Sequence, residues 1–308
     1  MDLVRFEREL PGLYDSLRDS LHPKNRKLKN LCREVDGMAT ENKLMTLNFA
    51  ASLLGPNEVY LEVGSWKGLS IIGAMMGNDD QRFYAIDDFS QFQGPKREFQ
   101  SNVQRYGFSE KLNFIEGDCL EIFRTKFLGS QKVGVYFYDG EHSYYSQYYA
   151  IRAIEPFLAD NALLIIDDCS FPQVRAANTL FCRLDPNIRL LFDIASDYNG
   201  EPKWWNGVQI LSYRRDRRAR HNFPLPLLQL AFEIGRIKFE FLPYLREYRR
   251  HSILFSSFPN VLRNTIAYAL YCAVGKEQKA FKAKKRILKH WRYLTGKAYR
   301  PPRGRYTS

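Results

Sequence analysis

The chain has 308 residues, 45% of them hydrophobic, enough to bury one full α/β core and leave roughly a third of its length for an extension. Five scattered cysteines without a C-x-x-C pair argue against a zinc site and for a reducing compartment, and an N-terminus charged from its second residue argues against secretion. The net charge of +12 is unevenly spread, with −6 over residues 1–213 and +18 over 214–308, so a mildly acidic globule precedes a strongly basic segment with a partner or role of its own.

In chain order, Phe6, Leu10, Leu13, Tyr14, Leu17 and Leu21 recur at roughly helical spacing and predict a helical lead-in over 3–21, interrupted by Pro11-Gly12 and ended by Pro23. A second helix is predicted from a Thr40 N-cap to Leu54, with Leu44, Leu47, Ala51 and Leu54 inward and Gly55-Pro56 as its stop. The rest of the chain is organised around the stretch 58–76. An apolar run over 59–63, broken only by Glu62, reads as a parallel strand covered on both faces, and it stops at Gly64; a helix starts after Gly68. A glycine there admits close backbone approach to a ligand, and the helix offers free N–H groups. The E-x-G-x-x-x-G pattern is neither the dinucleotide G-x-G-x-x-G nor a P-loop.

Further strands are predicted at 81–86, ending in Asp87-Asp88; at 112–115, before Glu116-Gly117-Asp118; at 133–138, before Asp139; and at 162–166, before Asp167-Asp168. Helical segments near 95–106, 119–127, 144–157 and 174–184 fill the gaps. This alternation predicts a doubly wound, Rossmann-like parallel sheet that binds ligands at the C-terminal ends of its strands. Two more strand-like runs, 189–195 and 207–213, flank a loop with Trp204-Trp205-Asn206 and read as an appended hairpin, for seven strands in all. The tyrosines at 136, 138, 144, 145, 148 and 149 read as core and helix-face packing.

Past Arg214, residues 227–242 form a helical pattern with a narrow polar stripe of Gln229, Glu233, Arg236 and Glu240. The apolar run 265–274 is too short to span a bilayer. Residues 276–305 hold twelve basic residues and one acid around Phe281, Ile287, Leu288, Trp291 and Leu294, a basic amphipathic helix suited to an anionic membrane surface. The expected division is a lead-in over 1–37, a catalytic domain over 38–213 and a basic helical extension over 214–308.

The arrangement over about 38–213 resembles the class I S-adenosylmethionine-dependent methyltransferases. More narrowly, Glu62-Val-Gly-Ser-Trp-Lys-Gly-Leu-Ser70 is similar to the first motif of the metal-dependent O-methyltransferases of the catechol type, and Asp139-Gly-Glu-His-Ser-Tyr144 and Leu163-Leu-Ile-Ile-Asp-Asp168 to the branch acting on macrolide sugars. The resemblance implies S-adenosylmethionine as cofactor, with Gly64 and Gly68 around its methionine part, Ser70 on its carboxylate and Ser65 among its binding residues. It also implies Asp87 on the ribose, Asp118, Cys119 and Trp66 at the adenine, and Glu62 as a supporting acceptor. It implies a divalent ion, Mg2+ or another, held by Asp139, Asp167 and Asp168, and His142 as general base.

The residues argue independently for a cation, because three carboxylates converging in one cleft repel unless protonated or neutralised, and hard divalent ions prefer oxygen ligands. A histidine of unperturbed pKa near 6.5 can accept a hydroxyl proton near neutral pH. The expected activity is O-methylation of a small natural product, sugar or lipid-linked glycan by a cytoplasmic enzyme at the membrane's inner face, with a homo-oligomer as a further option. The alternatives are an RNA or DNA methyltransferase using the basic segment, and a non-catalytic membrane-tethered binding module. Asp139-Gly-Glu-His stands where base-modifying enzymes carry Asn/Asp-Pro-Pro-aromatic, which disfavours nucleic acid.

Overall fold

The computed structural model describes residues 1–216 and 225–243, with the single positions 267 and 282. The apolar run 265–274 and the predicted basic helix over 276–305 otherwise lie outside the described residues. Contacts divide the chain into two units, one of Met1–His142, Ser146–Cys182 and Pro186–Ala219, the other of Ser143–Tyr145, Arg183–Asp185 and Arg220–Ser308.

In chain order the elements are α1 (Leu3–Glu9), α2 (Leu31–Glu34), α3 (Glu41–Ser52), β1 (Glu58–Val63), α4 (Leu69–Met75), β2 (Arg82–Asp87), α5 (Lys96–Arg105), β3 (Leu112–Glu116), α6 (Cys119–Ile122), β4 (Lys132–Tyr138), α7 (Tyr144–Ile154), β5 (Leu158–Asp167), α8 (Pro172–Leu184), β6 (Ile188–Ile194), β7 (Val208–Arg214) and α9 (Leu225–Arg236). The seven strands form one sheet in the order β3-β2-β1-β4-β5-β7-β6. β1 to β5 run parallel, and β7 lies antiparallel between β5 and β6. The order reverses between β1 and β4, which is where a doubly wound sheet opens a crevice beyond its strand ends.

Alternation along the strands divides the core between the two faces. Tyr60, Val135, Phe137, Leu163 and Ile165 pack with α3 and α4 residues on one face, and Val59, Leu61, Tyr136, Tyr138, Leu164 and Ile166 pack with α7 and α8 residues on the other. Because both faces are covered, β1 buries everything from Val59 to Val63, Glu62 included.

Two predicted helices come out shorter. The lead-in is helical only to Glu9, with a 3-10 turn over Leu10–Leu13, because the Pro11-Gly12 pair halts the ladder; Leu21 is 59% exposed. The helix expected over 119–127 stops at Ile122 and continues as turns. β5 is longer than expected, beginning at Leu158. α3 starts as predicted, with Thr40 Oγ1 accepting from Lys43 N. Its burial is nearly all round, so polar side chains find partners inside: Asn42 Nδ2 donates to Lys203 O at 3.1 Å, and Asn48 Nδ2 to Met76 O at 2.7 Å.

Trp204 is 1% exposed, its Nε1 donating to Leu17 O at 3.0 Å and its ring 5.6 Å from that of Tyr14, so it anchors the lead-in. In the second unit α9 runs on into a π-helical turn over Ile237–Phe241. The predicted stripe is corrected there. Glu233 is buried, with Arg236 Nη1 at 3.4 Å, whereas the apolar Ile234 is 57% exposed.

Candidate active site

The end of β1 is forced open by glycine. Gly64 has φ of +88°, and a Cβ added to it would lie 2.0 Å from the carbonyl oxygen of Asp139. Gly64 N donates to Ile86 O at 2.9 Å and Asp139 N to Val63 O at 2.9 Å, so the loop after β1 is laced between the ends of β2 and β4. Gly68, also left-handed at +90°, precedes α4. Between them Trp66 takes φ of 44°, a strained value for a non-glycine residue. Its Nε1 is buried without a hydrogen-bond partner.

Asp87 ties this loop down. Its Oδ2 accepts from Ser65 N and Trp66 N, both at 2.8 Å, and its Oδ1 from Phe89 N at 2.7 Å. Glu62 lies beneath the loop at 0% exposure, with Ser70 Oγ donating to it at 2.8 Å and Tyr60 Oη at 3.2 Å. Burial pushes the Glu62 carboxyl up to about 8 against the opposing hydrogen bonds of Ser70 and Tyr60. Ser70 therefore commits its hydroxyl to Glu62. Asp118 is exposed and caps α6, accepting from Leu120 N at 2.7 Å, and burial pushes the neighbouring Cys119 thiol up to about 12.

Asp139, His142 and Asp168 come together with one ligand atom of each within 4.8 Å of the others. His142 Nε2 is 2.9 Å from Asp168 Oδ2 and 3.7 Å from Asp139 Oδ1, while its Nδ1 is buried with no hydrogen-bond partner. Asp168 sits at φ of 56°, a left-handed position that aspartate tolerates.

Asp167 turns elsewhere. Its Oδ1 is 2.5 Å from Nζ of Lys43, both residues being almost wholly buried, and it also accepts from Asp168 N at 2.7 Å. The cation that the sequence asks for beside these carboxylates is thus in part the chain's own ammonium. No sequence pattern singles out Lys43, nor Asn206, whose side chain hydrogen-bonds Asp168.

The electrostatics follow this division. Burial, then the charges of Asp167 and Asp168, holds Asp139 well above the usual carboxylate range. Burial also raises Asp167, against the pull of Lys43. Burial would raise Asp168 too, but the hydrogen bond and charge of His142, with Lys43 and Asn206, bring it below its ordinary value. Burial opposes the charge on Lys43, and the three carboxylates outweigh it, so its pKa is raised.

A sheet of this order, with an acid and glycine loop at the end of β1 and carboxylates after β2, β4 and β5, defines the class I S-adenosylmethionine-dependent methyltransferase architecture. Residues 61–169 match the family model described as "Methyltransferase domain", a span that holds every residue of the loop and of the Asp139–His142–Asp168 cluster. Over that span the chain is similar to a methyltransferase domain.

Among solved structures, the chain is similar to cofactor-bound Rv0187 from MTB at 15% identity, over 63% of this chain and 92% of that one, with a TM-score of 0.48. It is similar to the O-methyltransferase from Bacillus cereus in complex with SAH at 12% identity, over 68% and 96%, TM-score 0.48. The O-methyltransferase TomG from Streptomyces achromogenes, involved in tomaymycin synthesis and in complex with SAM, is similar at 14% identity, over 70% and 100%, TM-score 0.49. A search of curated proteins by sequence finds no match.

Proposed function

We propose that the chain transfers a methyl group from S-adenosylmethionine to a hydroxyl of a small molecule, with a divalent cation at Asp139, His142 and Asp168. The observation that carries this reading is the contact between the two halves of the site: the carbonyl of Asp139 lies against Gly64, so the glycine loop and the carboxylate cluster share one strand-end crevice.

The residues at the loop suit the cofactor. Gly64, Ser65 and Gly68 leave backbone room for its methionine part, Asp87 keeps lone-pair capacity for ribose hydroxyls, and Trp66 holds an unspent buried donor. Ser70 acts through Glu62, and Asp118 and Cys119 border the adenine. The cofactor supplies an electrophilic methyl on a sulfonium.

The donor set of two carboxylates and one imidazole suits a divalent ion that accepts nitrogen as well as oxygen, Mn2+ as readily as Mg2+. Such an ion would supply a Lewis acid that lowers the pKa of a bound hydroxyl. Asp167 stays with Lys43 and supports the cluster through its bond to Asp168 N. His142 has two roles in reach. With Nε2 donating to Asp168, the lone pair on Nδ1 is left to take a proton; with Nε2 on the ion, it serves as a ligand.

In this reading the chain divides into 1–37, 38–213 and 214–308, and the +18 of the last segment is a tether to an anionic membrane surface. Titration of S-adenosylhomocysteine into the full chain, with Mg2+ or Mn2+ and then with chelator, tests the core of it. Micromolar binding is expected in all conditions, with a cation-binding heat that disappears in Asp139→Ala. Retained transfer in Asp139→Ala and in His142→Ala would refute the assigned roles.

A further inference from the structure

A polar cavity of about 340 Å³ is lined by Arg18, Ser170, Arg175, Asp193, Ala195 and Ser196, all in the first unit. Arg175 is fixed in it by two of its nitrogens. Nε donates to Cys169 O at 3.1 Å and Nη1 to Asp193 Oδ2 at 2.5 Å. The third, Nη2, is buried with no hydrogen-bond partner. The side chain as a whole is 34% exposed, and the N–H donors that Cys169 and Asp193 leave unspent are those an anion in the cavity would take. Arg18 is exposed and makes no ion pair among the described residues; its backbone is steadied by the bond from Trp204 to the preceding Leu17 O. Two guanidinium groups against the single carboxylate of Asp193 leave the cavity net positive, and Ser170 and Ser196 add hydroxyls to its wall.

Its location connects it to the chemistry. Ser170 is two residues after Asp168, no more than about 7 Å of chain. Ser170 N donates to Asn206 O at 2.8 Å, and the side chain of Asn206 bonds Asp168. The cavity is therefore a neighbour of the proposed acceptor hydroxyl.

Resting on the methyltransferase reading, we propose that this cavity is a phosphate subsite and that the methylated hydroxyl belongs to a phosphorylated small molecule. Guanidinium forks converging from different segments suit the several oxygens of a phosphate, and the volume admits that group with part of its carrier.

The test is calorimetric titration of inorganic phosphate into the full-length protein saturated with S-adenosylhomocysteine, for wild type, Arg18→Ala and Arg175→Lys. Phosphate binding is expected to weaken at least about tenfold in each variant. S-adenosylhomocysteine affinity and melting temperature should hold in Arg18→Ala, whose side chain is exposed. A wild type that binds S-adenosylhomocysteine but not phosphate, or binds phosphate equally well in all three forms, overturns the inference and leaves the methyltransferase reading intact. Failure to bind S-adenosylhomocysteine overturns that reading instead. Hexose phosphates in solution and phosphatidic acid in phosphatidylcholine vesicles, run as competitors of bound phosphate, separate a free carrier from a lipid one.

Discussion

The ammonium of Lys43 is enclosed on α3 with Asp167 as its ion-pair partner, and this pair decides how the strand-end carboxylates coexist. Burying two charges is itself costly, but removing one of them leaves the other uncompensated, a loss of roughly 3–5 kcal/mol. Lys43→Met is therefore expected to destabilise by about that much, and Lys43→Met with Asp167→Asn to recover most of it in urea melts. A double variant no better than the single one would remove pairing as the cause.

Glu62 gives a pH signature at the same scale. Its folded-state pKa is about 8, whereas an unfolded glutamate titrates near 4.3. Between those values the folded protein binds a proton that the unfolded chain has released. The stability this protonation contributes is complete below about pH 4.3 and is lost as pH rises towards 8, at up to ~1.36 kcal/mol per unit. Glu62→Gln should flatten that slope, so that urea midpoints compared at pH 5 and pH 9 fall less than in wild type. Equal falls in both proteins would mean that Glu62 does not titrate in this range.

At the scale of elements, the strands are readable because parallel strands covered on both faces are continuous apolar runs, and each ends at a carboxylate or glycine that has no place in a core. The crevice can be located on that basis alone. α3 is readable as a helix but not as a source of a buried cation, because the inward stripe of Leu44, Leu47 and Ala51 gives no sign that the flanks are covered too. The packing of Tyr14 and of the Trp204 loop against α3 helps to close them, through contacts that span up to 161 residues of sequence.

Gly64 in the loop after β1 and Gly77 beyond α4 offer a paired test of close approach against backbone conformation. Gly77 has φ of +74° with nothing within 4 Å of an added Cβ, so Gly77→Ala should cost only the left-handed penalty of about 1–2 kcal/mol. Gly64→Ala carries the same penalty and also drives a methyl into the Asp139 carbonyl, a backbone atom that cannot swing away. It is expected to separate β1 from β4, to destabilise well beyond Gly77→Ala, and to weaken S-adenosylhomocysteine binding more than tenfold. Matching melts and affinities for the two variants would show that the glycine serves conformation alone.

For the whole molecule, charge is the feature the sequence states most plainly, with −6 over residues 1–213 and +18 over residues 214–308. Among the described residues no helix is long and apolar enough to cross a membrane. The periodicity of 227–242 illustrates what such patterns leave out: it assigns Glu233 to a solvent stripe and Ile234 to a buried one, and packing of the second unit reverses both. A partner for the basic segment must therefore be argued from electrostatics rather than from helical faces. Cations near an anionic bilayer contribute ~1 kcal/mol each, and that attraction fades as the Debye length shrinks from about 10 Å at 0.1 M salt to about 3 Å at 1 M. The full chain should then float with phosphatidylserine vesicles at low salt, stay behind with phosphatidylcholine alone, and be released by high salt. Flotation that ignores both lipid charge and salt would point to apolar insertion, and none even at low salt would return the basic segment to contacts within the protein, because a surplus of this size cannot be indifferent to a bare anionic surface it can reach.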